Sequence, residues 1–255
     1  MRRLPGRSDL HDRALAIVEH ITTGAKRSNG VMVTHEGRPQ VWVDSMFFSL
    51  PALLRATDVT GDSRYMEDAR RQLSGYISLL VRPADGLFTH CWDEEFQGPA
   101  RYLSGHFEPL GEAPPWTRGN AWAALTLLAA AEHKIAPAET CFRRLAPVVL
   151  ASQDEGGGWH TVLNEEATYL ETSASAMFAY AFLRASKFGL LADNYAQSAE
   201  LTWRWLQGFV RLRRLTGVSA GTPPGAVLDY QRITVGSETF GTGFLLLLGL
   251  ELLDR

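Results

Sequence analysis

The chain is poor in the residues that build covalent or metal-bound frameworks. It has two cysteines, Cys91 and Cys141, in 255 residues. That is too few for a disulfide scaffold or a thiolate metal site. Its seven histidines include no pair at helical ligand spacing, so no metal constellation emerges and no metal is expected. Neither charge sign dominates: the formal net charge is −3 and the basic residues are scattered. Nucleic acid is therefore not an expected partner. The densest basic cluster, "RLRR" at 211–214, reads as a solvated helix end. No long apolar run exists. "GFLLLLGLELL" at 243–253 is shorter than a bilayer span and contains Glu251, so no membrane segment is expected. The N-terminal stretch has positive charge, but Asp9, His11, Asp12, Arg13 and Glu19 interrupt any apolar core, which argues against a secretory leader. "EGGGW" at 155–159 lacks the Lys and Ser/Thr of a phosphate loop. These exclusions leave a soluble protein, expected in the cytoplasm, whose 45% hydrophobic content suffices for a sizeable core.

What the sequence does contain is helical periodicity. Residues 63–82 place Tyr65, Ala69, Leu73, Tyr76, Ile77 and Leu80 on one stripe with charges opposite. Residues 118–133 are rich in Ala and Leu. Comparable helices are predicted near 8–22, 44–57, 138–152, 168–186, 192–213 and 237–253, about eight in all, with little left for sheet. The connections resemble one another. "NGVMVTHEGRPQVWVDSMFF" from 29, "DGLFTHCWDEE" from 85 and "GGGWHTVLNEEATYLETSASAMF" from 156 each open on glycine, pass a His and lead into an apolar helix. A fourth, weaker copy starts at 219 without the His. A helix-pair repeat of this kind predicts a toroid, the apolar helices inside and the charged ones outside. Trp42, Trp92, Trp116, Trp122 and Trp159 lie in the turn regions, which predicts an aromatic cleft at one end of the ring. Stacking surface beside directional hydrogen-bonding groups suits a sugar ring.

One carboxylate stands out. In "RPQVWVDSMFF" (38–48), Asp44 sits among Trp42, Val43, Met46, Phe47 and Phe48. It reads either as a helix N-cap or as an acid whose proton is retained by apolar surroundings. His90 and His160 read as satisfied core histidines or as sugar contacts. Asp93 and Glu94 read as turn carboxylates. Arg118 and Trp122, four apart, share a helix face. Glu171 and Glu238 occupy matching points of two repeats and suit helix caps.

Five segments in order, "WVDSMFFSLPALLRATDVTGDSRY", "GLFTHCWDEE", "PWTRGNAWAALTLL", "TYLETSASAMFAYAF" and "GTGFLLLLGLEL", resemble the unsaturated glucuronyl and rhamnogalacturonyl hydrolases of glycoside hydrolase families 88 and 105, the latter more closely. The resemblance implies an all-α (α/α)6-barrel-like toroid, here incomplete, as a single domain over 1–255 that is short at its N-terminus. It implies no cofactor and a small oligosaccharide substrate left by a polysaccharide lyase. Asp44 would be the acid that protonates a C4=C5 enol ether and then helps water add. Trp42 would stack under the sugar, and His90, Arg118 and Trp122 would line the subsite, Arg118 pairing with the substrate carboxylate. Glu171, Thr172 and Ser173 would form part of the cleft wall. The family carries another aspartate more than forty residues upstream of its "WVD" motif, and none matches here. A catalytically inactive sugar-binding relic is therefore the alternative, and either a partner subunit, such as a second copy of the chain, or an altered packing is expected to cover the open ring.

Overall fold

The computed structural model describes residues 8–24, 26, 29–34 and 37–254. Helix α1 (Ser8–Thr23) precedes strand β1 (Gln40–Trp42), which runs directly into α2 (Val43–Thr60). Helix α3 (Ser63–Leu80) follows a two-residue turn. There Gly61, at φ 72°, donates its N–H to the Thr57 carbonyl, and the Asp62 side chain accepts from the Arg64 N–H. "TGDS" is thus a stop signal and a start signal placed back to back. Strands β2 (Cys91–Asp93), β3 (Gly98–Leu103) and β4 (His106–Pro109) come next, then α4 (Thr117–Glu132) and α5 (Ala136–Ala151). Helices α6 (Thr172–Lys187) and α7 (Asp193–Gln207) lead to short strands β5 (Val210–Arg211), β6 (Arg214–Leu215) and β7 (Val218–Ser219). The chain ends with α8 (Val227–Gln231), β8 (Val235–Gly236) and α9 (Thr239–Leu253).

Helices α2, α4, α6 and α9 pack in succession as an inner arc, and α3, α5 and α7 lie outside α2, α4 and α6. The layering follows from side-chain distribution. In α4 and α6, small and aliphatic residues are buried nearly all round. In α3 only the stripe through Tyr65, Ala69, Leu73, Tyr76 and Leu80 is buried. Helix α9 is an exception: apolar on every side, it leaves Leu246, Leu247, Leu250 and Leu253 exposed. At the cleft end the two limbs of the arc meet where Phe47 and Phe244 lie 6.2 Å apart between ring centroids.

Three expectations change. Helix α6 begins at Thr172 rather than 168, because Leu170 bridges His160 and Glu171 donates its backbone N–H to the Trp159 carbonyl. Helix α7 stops at Gln207, and "RLRR" forms the β5–β6 hairpin, with Leu212 and Arg213 at φ 48° and 63°. The basic cluster is therefore a hairpin tip, not a helix end. The sheet is also larger than expected: β1–β4 form one antiparallel sheet in chain order. Its register sets Trp42 opposite Cys91 and so brings the start of α2 beside His90. Among the described residues no helix is long and apolar enough to cross a membrane. His35 lies outside the described residues.

Candidate active site

The "RGNAW" segment at the start of α4 holds three strands of chain together. Gly119 lies where a Cβ would meet the Trp116 ring and Val43 Cγ1 at 2.8 Å, so only glycine lets α2 and α4 approach this closely. Asn120 accepts from the Phe88 N–H at 2.7 Å and donates to the Phe88 and Trp116 carbonyls at 3.0 and 2.9 Å. It thereby fixes the strand that carries His90. Arg118 reaches the other way. Its Nη1 donates to the Ser219 carbonyl at 2.9 Å and to Ser219 Oγ, and its Nη2 donates to the Ala220 carbonyl and Thr222 Oγ1 at 2.8 and 2.9 Å.

At the junction stands Asp44, in the first turn of α2 and 19% exposed. The residue preceding the helix is Trp42, whose side chain makes no capping hydrogen bond. Asp44 is therefore not the N-cap. Nor do its apolar sequence neighbours enclose it: Val43 and Met46 point into the core and Phe48 is 62% exposed. Asp44 instead faces His90, with Oδ2 and Nε2 3.2 Å apart. Those two atoms are buried, and neither has a hydrogen-bond partner aligned on it. His90 is sandwiched: its ring stacks on Trp116 at 4.1 Å between centroids, and Trp42 meets its edge at 5.5 Å. Burial pushes the imidazole below its usual pKa of 6.5; the nearby Asp44 carboxyl opposes this and Arg118 adds to it. His90 is accordingly a neutral ring near pH 7.

Two residues supply the cleft's aromatic faces. Trp122 lies parallel to Phe47 at 6.0 Å, and Trp42 contacts Phe107 of the β3–β4 hairpin at 6.1 Å. That hairpin is tied down by the Tyr102 N–H, which donates to the Pro224 carbonyl at 2.8 Å. The Arg38 guanidinium lies over the Phe107 ring, 5.0 Å from its centroid. Its Nη1 is buried with no hydrogen-bond partner among the described residues. Two surface concavities, of about 510 and 370 Å³, lie elsewhere, one between α1 and α3 and one against β2–β3, and neither includes Asp44.

The family described as Glycosyl Hydrolase Family 88 matches residues 4–255. The chain belongs to that family. It is 32% identical over 189 residues to the unsaturated rhamnogalacturonyl hydrolase YesR of Bacillus subtilis, covering 72% of this chain and 50% of that protein. It thus spans about half of YesR. A family 105 glycoside hydrolase from C. acetobutylicum superimposes with a TM-score of 0.85 at 20% identity, covering 98% of this chain and 76% of that one. The unsaturated glucuronyl hydrolase of Bacillus sp. GL1 gives 0.73 at 21%, covering 97% and 69%. These likenesses place the fold among the (α/α)6 toroids.

Within this family 88 chain the sequence-predicted residues separate into two groups. Asp44, Trp42, His90 and Trp122 gather at the cleft. Glu171, Thr172 and Ser173 do not form its wall: all three are fully buried. Glu171 caps α6, accepting from the Ala174 N–H at 2.6 Å, the Ser219 N–H at 2.9 Å and Ser173 Oγ at 2.8 Å. Thr172 Oγ1 donates to the Thr216 carbonyl at 2.8 Å. Arg118 is likewise engaged by protein acceptors on both terminal nitrogens, with Glu171 Oε1 3.6 Å from Nη1, so its fork is not open to a substrate carboxylate. These residues brace the 216–222 segment behind the site. Glu238 precedes α9 without capping it. Asp93 bonds the Gln40 side-chain amide and the Glu95 N–H, as suits a turn carboxylate. Trp159 is in the core, donating to the Val149 carbonyl, and His160 bonds the Thr168 carbonyl. Sequence reading missed Tyr230, Arg38, Asn120 and Phe107. Asn120 lay inside a quoted motif, whereas Tyr230 sits in the repeat copy without a His, and its position is set by tertiary contact alone.

Proposed function

We propose that the chain hydrolyses unsaturated uronyl oligosaccharides, with Asp44 as general acid and then general base. The protonated carboxyl gives its proton to C4 of the enol ether, leaving a cation at C5 shared with the ring oxygen. The carboxylate then takes a proton from water as the water oxygen bonds to C5, which restores the acid. The C5 hemiketal opens at its ring oxygen, and the hemiacetal exposed at C1 releases the neighbouring sugar as an alcohol. One carboxyl serves both steps, unlike the paired carboxylates that flank a scissile bond in most glycosidases.

The observation that carries this reading is the pairing of one partly exposed carboxyl with a buried, neutral imidazole beside the indoles of Trp42 and Trp116. The names of YesR and of the Bacillus sp. GL1 enzyme agree with the substrate class. Because Arg118 is engaged internally, Arg38 is the candidate for the substrate carboxylate: a planar cation stacked on Phe107 at the edge of the Trp42 wall. The test is loss of the enol-ether absorbance when the protein meets lyase-digested pectin. Wild type is expected to consume it and Asp44→Asn is not. Equal behaviour of the two refutes the assignment, and binding without turnover by wild type identifies a sugar-binding relic instead.

A further inference from the structure

We infer that Tyr230 is a positioning residue: it fixes the tautomer of His90 and so directs the acid proton of Asp44 to Oδ1. The inference rests on the reading of Asp44 as the acid. Tyr230 is buried on α8, its ring stacked on Trp116 at 4° and 5.8 Å. Its hydroxyl has two partners. It accepts from the Gly225 N–H at 3.1 Å, and it lies 3.0 Å from His90 Nδ1. Burial raises the phenol above its ordinary range, so the hydroxyl keeps its proton.

The proton count decides the arrangement. Among the described residues, the only acceptor bonded to the Tyr230 hydroxyl is His90 Nδ1. If Nδ1 carried hydrogen, the phenolic proton would be buried without a partner, an arrangement native proteins avoid. The hydroxyl therefore donates to Nδ1, and the single imidazole hydrogen sits on Nε2, which faces Asp44 Oδ2. With that hydrogen facing it at 3.2 Å, Oδ2 is the oxygen placed to accept from the ring rather than to carry the acid proton toward it. Since Oδ2 is the buried oxygen, Oδ1 is the one left to meet substrate. At 3.2 Å the two atoms are within hydrogen-bond reach, and catalytic contacts commonly align only when substrate is bound.

The charged and titratable groups around His90 are Asp44 from α2, Arg118 from α4, Tyr230 from α8 and the adjoining Cys91, whose thiol burial keeps protonated. Nitrogen-15 NMR of histidine-labelled protein tests the assignment without turnover. In wild type, His90 is expected to show hydrogen on Nε2 and none on Nδ1; hydrogen on Nδ1 overturns the inference. Tyr230→Phe is expected to populate both tautomers and to lower kcat about tenfold, the scale of one lost buried hydrogen bond, with KM within about twofold. An unchanged tautomer and kcat in a folded Tyr230→Phe also overturns it. An inactive wild type with the Nε2 tautomer refutes the proposed reaction but leaves the Tyr230–His90 assignment standing.

Discussion

Glu171 offers a sharp test of the division between cleft and support. Its carboxylate is completely buried and receives hydrogen bonds from the Ala174 and Ser219 N–H groups and from Ser173 Oγ, with the Arg118 guanidinium 3.6 Å away. In Glu171→Gln either amide orientation sets an NH₂ against a backbone N–H: Ala174 on one side, Ser219 on the other. One buried donor is then unsatisfied, at about 1–3 kcal/mol. Glu171→Ala also removes the cap and leaves the buried Arg118 charge uncompensated, for which about 3–5 kcal/mol is the expected scale. At roughly 2–4 °C per kcal/mol for a chain of this size, Glu171→Ala should melt about 6–20 °C lower, with Glu171→Gln between it and wild type. Calorimetry or urea unfolding measures this. Wild-type stability in both variants, with a raised KM, would return Glu171 to the substrate and refute the reasoning.

Other outcomes follow from the same contacts. Arg38→Gln is expected to raise KM about tenfold or more for an unsaturated disaccharide with a free carboxylate and to leave its methyl ester little affected; equal effects on both would exclude ion pairing. His90 is buried with its pKa below 6.5, so on acidification the unfolded chain gains a proton before the folded chain does. Its contribution is therefore constant above about pH 7 and is lost as pH falls below 6.5, by at most about 1.4 kcal/mol per pH unit. Urea unfolding of wild type and His90→Gln at several pH values should show that slope only in wild type. Gly119→Ala should destabilise by more than 1 kcal/mol, on the order of an overpacked core site, because its Cβ would strike Trp116 and Val43. The exposed leucines of α9 are expected to pair with those of a second copy, which would take that apolar surface out of water. Light scattering should show self-association that Leu246→Glu with Leu250→Glu abolishes, and a monodisperse wild-type monomer would contradict it.

The inner and outer helices were legible because burial imprints a period. The apolar part of the α3 stripe and the Ala/Leu surface of α4 can be read from their residues, though the stripe also buries Asp68 and Gln72 and leaves Ile77 half-buried. Capping was legible at Glu171, which caps α6, but not at Glu238, whose side chain caps nothing at the start of α9. What escaped depended on contacts across many residues. Nothing near 230 shows that Tyr230 reaches His90, 140 residues earlier. The family resemblance implies a cleft wall at Glu171, Thr172 and Ser173, yet Glu171 and Thr172 bond the backbone at 216–219 instead. Arg118 shows the same ambiguity: a guanidinium fork fits a carboxylate and also fits backbone carbonyls, and only the fold decides which it meets. For Asp44, the neighbours Val43 and Met46 turn into the core and Phe48 is exposed, and the partner that matters comes from the next repeat.

The most direct test of the central claim is proton NMR of the reaction in deuterated water with an unsaturated disaccharide. The account predicts that release of the leaving sugar is matched by loss of the vinyl C4 signal and by deuterium at C4 in the wild-type reaction, and that neither occurs with Asp44→Asn. Release of the sugar while the vinyl signal persists, or turnover by Asp44→Asn at the wild-type rate, would contradict it.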